Sequence, residues 1–202
     1  MTPRPATGSG GRGLVLVRGS AAASARWLRR GLVAVSTTEL DGWTAVTLAE
    51  SAARARAPYD VGLEVLAARP IPAGRRPALG FFDIDGSAVM TVQPRGWRAR
   101  QRWLVWQPGH GVRRTPELPA LPLSMVIATA DASARTTPAR LGTLLATTVG
   151  RPVDLLVSVM EQLGLPGSSL LIHPAGGPVI EPHPRTVRRF DDIVADQGRD
   201  HP

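Results

Sequence analysis

The sequence predicts an α+β fold: a mixed or mainly antiparallel sheet with helices packed on one face, its first half compatible with a ferredoxin-like arrangement. Three observations carry this expectation. Asp41-Gly42 and Asp85-Gly86 each separate two β-rich runs, and both residue types tolerate positive φ, so each dipeptide marks a hairpin. The segments alternate as β-α-β-β-α-β-β-β and then β-α-α-β, an order that suits antiparallel pairing. Val153, Leu156, Val157, Met160 and Leu163 recur at helical spacing, and Gly164 and Pro166 stop that helix.

Taken in order, residues 14–17 are a short apolar, partly β-branched run and read as a strand. Ser20 can cap a helix over 21–30, which Gly31 ends. Residues 32–35 and 43–48 read as strands on either side of Asp41-Gly42, and 50–68 as helical with a break near Pro58. Residues 79–84 and 88–92 flank Asp85-Gly86, and 102–106 continue as a strand. Residues 108–122 are rich in turn formers. The run Met125-Val-Ile reads as a buried strand over 124–129. Thr137 caps a helix opened by Pro138, with Leu141, Leu144 and Leu145 on its stripe. Residues 169–172 read as a last strand and 187–195 as a short helix. The expected organisation is a flexible arm over 1–11, one domain over 12–174 with a sub-boundary near 113–122, and a loosely ordered tail over 175–202.

Composition narrows the function. The chain has 202 residues, enough to bury a core, and no apolar run long enough to span a membrane. Its N-terminus is rich in Pro, Gly and Ser and lacks the apolar stretch of a signal peptide, so a cytoplasmic location is expected. Cysteine is absent, which excludes disulfides, thiolate nucleophiles and Cys-ligated zinc. Lysine and asparagine are also absent, so all 24 basic residues are Arg, a pattern that fits GC-rich coding. The net charge of +8 favours anionic partners. It is unevenly placed: residues 1–38 and 86–116 each carry six Arg and no acid.

Two constellations stand out. Phe81-Phe82-Asp83-Ile84-Asp85-Gly86-Ser87 is an apolar run ending in Asp-x-Asp-Gly-Ser. It resembles the first motif of haloacid dehalogenase-like hydrolases. That resemblance implies Asp83 as nucleophile and Mg²⁺ ligand, and Asp85 as general acid/base. It implies Thr129 in the later Ser/Thr position, Arg140 in place of the usual Lys, and Asp191, Asp192 and Asp196 as further acids for the metal. Three expected strands precede the motif, whereas in that family it ends the first strand. The same residues also read as a plain hairpin turn, which is the preferred reading.

The second constellation is Arg95-Gly-Trp97-Arg98-Ala-Arg100-Gln-Arg102-Trp103-Leu-Val-Trp106, where three of the five Trp lie among four Arg. On a strand, Arg98, Arg100 and Arg102 share one face, and Trp97, Trp103 and Val105 the other. Such a segment reads first as an amphipathic strand with Trp in the core and Arg in solvent; the alternatives are a nucleic-acid surface and a protein interface. Weaker signals are the Gly8-x-Gly10-x-x-Gly13 arm, the Gly19-Ser20 helix start as an anion site, and His110, His173 and His183, none in a metal spacing.

With no complete catalytic set and no cofactor motif, the expected function is a non-enzymatic interaction module. It would bind a protein or other anionic partner through Trp97, Arg98, Arg100, Arg102, Trp103 and Trp106. The alternatives are a nucleic-acid-binding protein and a Mg²⁺-dependent phosphohydrolase using Asp83 and Asp85.

Overall fold

Among the described residues, the strands β1 (Arg12–Arg18), β2 (Val35–Leu40), β3 (Trp43–Leu48), β4 (Ala78–Ile84), β5 (Ser87–Gln93), β6 (Arg102–Gln107), β7 (Gly111–Arg113) and β8 (Val179–Ile180) join in one sheet. The computed structural model describes residues 11–96, 99–174 and 176–199. The strand order is β7-β6-β5-β4-β1-β3-β2-β8, and every neighbouring pair is antiparallel. The helices are α1 (Ala21–Leu28), α2 (Gly62–Ala68), α3 (Leu123–Ala130), α4 (Pro138–Thr147), α5 (Pro152–Leu163) and α6 (Pro184–Arg199). The α+β class with an antiparallel sheet is therefore as the sequence predicts. The β1-α1-β2-β3-α2-β4 half has the strand order β4-β1-β3-β2 of a split β-α-β, ferredoxin-like unit.

Helices lie on both faces of the sheet, which corrects the expectation of one covered face. Val15 and Val17 pack with Leu28 of α1 and Leu63, Leu66 and Ala67 of α2. Leu14 and Leu16 point the other way and pack with Val126 of α3, Leu141 of α4 and Leu156, Val159 and Met160 of α5. The reason lies in the strands themselves. β1 and β4 are apolar at consecutive positions, as in Leu14-Val-Leu-Val17 and Phe81-Phe82, so each face exposes apolar surface that must be buried.

Several local expectations are met. Ser20 caps α1 by accepting from the Ala23 N–H, and Thr137 caps α4 by accepting from the Arg140 N–H. Gly164 ends α5 at φ 66°. Others are corrected. Residues 124–129 form the helix α3 instead of a strand, and Ser168–Leu171 is a 3₁₀ turn. The second strand runs over Val35–Leu40, later than the apolar 32–35 suggests, because its buried Ser36 and Thr37 are polar. Helix α2 occupies only the end of 50–68, where the Gly62 N–H donates to the Ser51 carbonyl. Strand β7 forms inside the turn-rich 108–122 segment, and residues 119–121 lie beside the first half of β6. There the Trp103 N–H donates to the Pro119 carbonyl and the Leu121 N–H to the Trp103 carbonyl. The tail carries β8 and the long helix α6, which meets the rest of the chain through an edge-to-face contact between Phe190 and Tyr59. No helix among the described residues is long and apolar enough to cross a membrane.

Arg69 ties the two ferredoxin-like helices together. It follows α2, stacks on Trp27 and donates to the Trp27 and Leu28 carbonyls at the end of α1. A cation is favourable there because the helix C-terminus carries partial negative charge. Burial pushes its pKa down to about 10.

Candidate functional site

Asp85 and Gly86 adopt φ 50° and 71°, the left-handed pair of a two-residue type I′ hairpin between Ile84 and Ser87. The turn lies at the rim of a cleft of about 480 Å³, lined by Arg12, Glu64, Asp83, Asp85 and Arg151 among others. Asp83 stands opposite Arg12 on the neighbouring strand. Burial raises its pKa, and the Arg12 and Arg151 guanidinium groups oppose that rise. Arg151 is itself held by a bidentate pair with Asp154, at 2.9 and 2.8 Å. The cleft is thus of mixed charge.

The other residues of the hydrolase resemblance do not gather there. Thr129 is a buried residue of α3 and lines a different cleft with Arg18, Pro77 and Arg95. Pro77 precedes β4 and Asp83 nears its other end, six residues on, a separation of roughly 20 Å along an extended chain. Arg140 lies on α4 beside Arg135 and Gln162. Asp191 accepts from the Arg56 backbone N–H on α6's side of the molecule. Among the described residues no group of three or more His, Asp or Glu is placed to hold a metal ion. The Mg²⁺ set implied by the resemblance therefore has no fit here.

Asp83 gives a pH-dependent prediction. Its folded-state pKa is raised, so the folded chain binds the proton more tightly than the unfolded chain. Stability from this group is greatest in acid and falls as pH rises through the ordinary carboxylate range to the raised value, then levels off. Asp83→Asn should therefore be more stable than the parent near neutral pH, with the gap closing towards about pH 3. Urea midpoints across that range measure it, and a gap that widens in acid would contradict the assignment.

The Trp/Arg segment divides unexpectedly. Trp97 and Arg98 lie outside the described residues. Arg100 is exposed and precedes β6, and Arg102 and Trp103 are half-buried at its start. Trp106 is 1% exposed and belongs to the core, with its Nε1 donating to the Leu145 carbonyl at 2.8 Å. That corrects its expected role as an exposed binding residue: enclosed by α4, its ring backs a surface groove instead of reaching out to a partner. Strand alternation puts Leu104 and Trp106 toward α3 and α4, and Trp103 and Val105 toward the opposite face.

What the sequence reading missed lies just beyond Trp106. Among the described residues, strand β7 is the last of the sheet, with β6 on one side and no strand on the other. Val112 stands opposite Trp106 and is 53% exposed. Between it and the end of α4 runs an open groove of about 810 Å³, floored by Leu104, Trp106 and Leu145 and bordered by Leu123 and by Val149, which is 93% exposed. Arg113 and Arg114 follow Val112 and are exposed. A Val between Gly111 and Arg113 and another before Gly150 carry no periodicity. The available signal was an aliphatic residue isolated in an acid-free, Arg-rich stretch.

The weaker candidates are accounted for locally. At the start of α1 the Ala21 N–H is bonded to the Glu39 carboxylate at 2.8 Å, so the chain fills its own helix N-terminus. His110 Nδ1 lies 3.1 Å from the Pro108 carbonyl, and His183 Nδ1 accepts from the Arg185 N–H at 3.2 Å. No protein-family model, no curated protein and no solved structure matches the chain, so the groove and the surrounding arginines must be interpreted from their own chemistry.

Proposed function

We propose that this chain is a non-enzymatic, cytoplasmic interaction module that binds an acidic segment of a partner protein at the β6–β7 end of its sheet. The observation that carries this reading is the coincidence of exposed arginines, exposed aliphatic side chains and an unpaired strand edge at one end of the molecule. Arg113 and Arg114 are exposed there and Arg100 is exposed just before β6, all three in a stretch with no acidic residue from 86 to 116. Interfaces favour Arg anchors beside apolar surface, and carboxylates complement guanidinium groups bidentately. A protein partner is favoured over nucleic acid because base stacking needs exposed aromatic faces. Among the described residues of this segment, Trp106 is enclosed and Trp103 is half-buried, whereas the open side chains are Val112 and Val149.

The test is fluorescence anisotropy with a labelled decaglutamate peptide and a single-stranded RNA of equal length, at low and moderate salt. The peptide should bind in a salt-sensitive way and more tightly than the RNA. An Arg100/Arg113/Arg114→Gln variant with an unchanged circular dichroism spectrum should lose about tenfold or more, a modest sum for three charge-assisted contacts. Tighter RNA binding would transfer the reading to nucleic acid, and an unaffected variant would remove this surface from it.

A further inference from the structure

We infer that the partner segment is received as an added strand on the free edge of β7, with alternate side chains apolar and acidic. This inference rests on the interaction reading above and specifies its ligand. A strand laid beside β7 continues the sheet order β7-β6-β5-β4, and its residues inherit the two faces of that sheet. On one face they stand beside Val112 and enter the groove toward Val149, over Leu104 and Trp106. On the other face they stand beside Arg113, whose cross-strand partner is Val105. Side chains alternate with period two along a strand, so apolar positions fall on the groove side and acidic positions on the Arg113 side. The ligand class is therefore an extended peptide of alternating Val-like and Glu-like residues.

The occupant is argued from charge. A second copy of this chain pairing through β7 would set two Arg113 side chains on one face of adjoining strands, and like charges on neighbouring strands are unfavourable. An acidic segment turns the same position into an attraction. The exposed Val112 and Val149 supply what an acidic partner lacks, because they sit unpaired in water at 53% and 93% exposure. An uncovered edge strand is ordinarily blunted by charge, bulges or a covering element. Here residues 119–121 cover the first half of β6, and the three-residue β7 is blunted only by its shortness and the Arg113 charge, which an acidic strand neutralises.

The experiment compares two labelled decapeptides of equal charge, one alternating Glu and Val and one alternating Glu and Ser. Anisotropy titrations should give about tenfold tighter binding for the Glu-Val peptide, the size expected from burying one aliphatic side chain. A Val112→Ser/Val149→Ser double variant should abolish that difference while keeping the affinity for the Glu-Ser peptide. Both residues are largely exposed, so the fold should survive the changes, and a thermal scan verifies it. A Glu-Val peptide N-methylated at alternate amides should bind at least tenfold more weakly, because it cannot donate to the β7 edge. Equal affinity for the two peptides would overturn the inference and leave the basic interaction surface standing. Loss of binding by both would overturn that surface as well. An N-methylated peptide as tight as its parent would exclude strand addition, and size exclusion showing a β7-dependent dimer would replace the peptide by a second copy.

Discussion

Replacing Trp106 by Ala should lower the unfolding free energy by about 3–5 kcal/mol, the range for deleting a large buried aromatic side chain. Trp106 is on an inner strand, is 1% exposed, and packs in the layer shared with Leu104, Leu141 and Leu145. Two losses add. The removed indole leaves a cavity that strands and helices cannot close without moving, and the Leu145 carbonyl loses its 2.8 Å donor in the last turn of α4. Trp106→Phe separates them. It keeps most of the apolar contact and removes the donor, so it should cost about 1–2 kcal/mol. Guanidinium denaturation of both variants measures the split. If Trp106→Ala cost less than about 1 kcal/mol, α4 would not be seated on β6, and the groove beside it would lack its floor. Val149→Ser, by contrast, should change stability by less than about 0.5 kcal/mol, because a surface side chain without partners contributes little.

That contrast explains why the site was less legible than the fold. The hairpins could be read because a two-residue turn demands particular residues at particular φ, and Asp85-Gly86 meets that demand locally. Helices α4 and α5 could be read because capping residues and a 3.6-residue stripe are local too. Helix α3 could not. Met125-Val-Ile-Ala is a short, wholly apolar run, and such a run fits a buried helix and a buried strand equally. Its C-cap gives no glycine signal either, since Asp131 takes φ 58°. The second helical layer was hidden because the side on which a connection crosses a sheet is a tertiary choice. Its trace in the sequence was the unbroken apolar run of β1, which already requires cover on both faces. Trp106 was misread for a related reason. Arg and Trp interleaved in sequence say which residues share a strand face, but not which face a helix will close.

Gln93 is where the second large effect should appear, and Gln93→Leu should destabilise the fold by about 2–4 kcal/mol despite its similar volume. Gln93 ends β5 and is 4% exposed. Its Oε1 accepts from the Ile71 N–H at 2.8 Å, and its Nε2 donates to the Arg69 carbonyl at 3.0 Å and to Gln101 Oε1 at 3.2 Å. Gln101 in turn donates from Nε2 to the Ala67 carbonyl at 2.6 Å. One buried amide thus joins β5, the exit from α2 and the residue that leads into β6. Leucine leaves the Ile71 N–H and Arg69 carbonyl without this partner in a place water reaches poorly, and each orphaned group costs about 1–3 kcal/mol. Gln93→Glu distinguishes hydrogen bonding from packing. Its carboxylate can still accept from Ile71 but turns a second acceptor toward two others, the Arg69 carbonyl and Gln101 Oε1. Protonation restores a donor there, so the folded chain should bind that proton more tightly than the unfolded chain. The Glu variant should therefore gain stability relative to the parent as pH falls, whereas the Leu variant should keep a constant deficit. Paired denaturation curves at neutral and acid pH read the difference, and parallel pH profiles would exclude the relay. Because Gln101 adjoins Arg102, the same relay sets the start of β6, beside which residues 119–121 are paired.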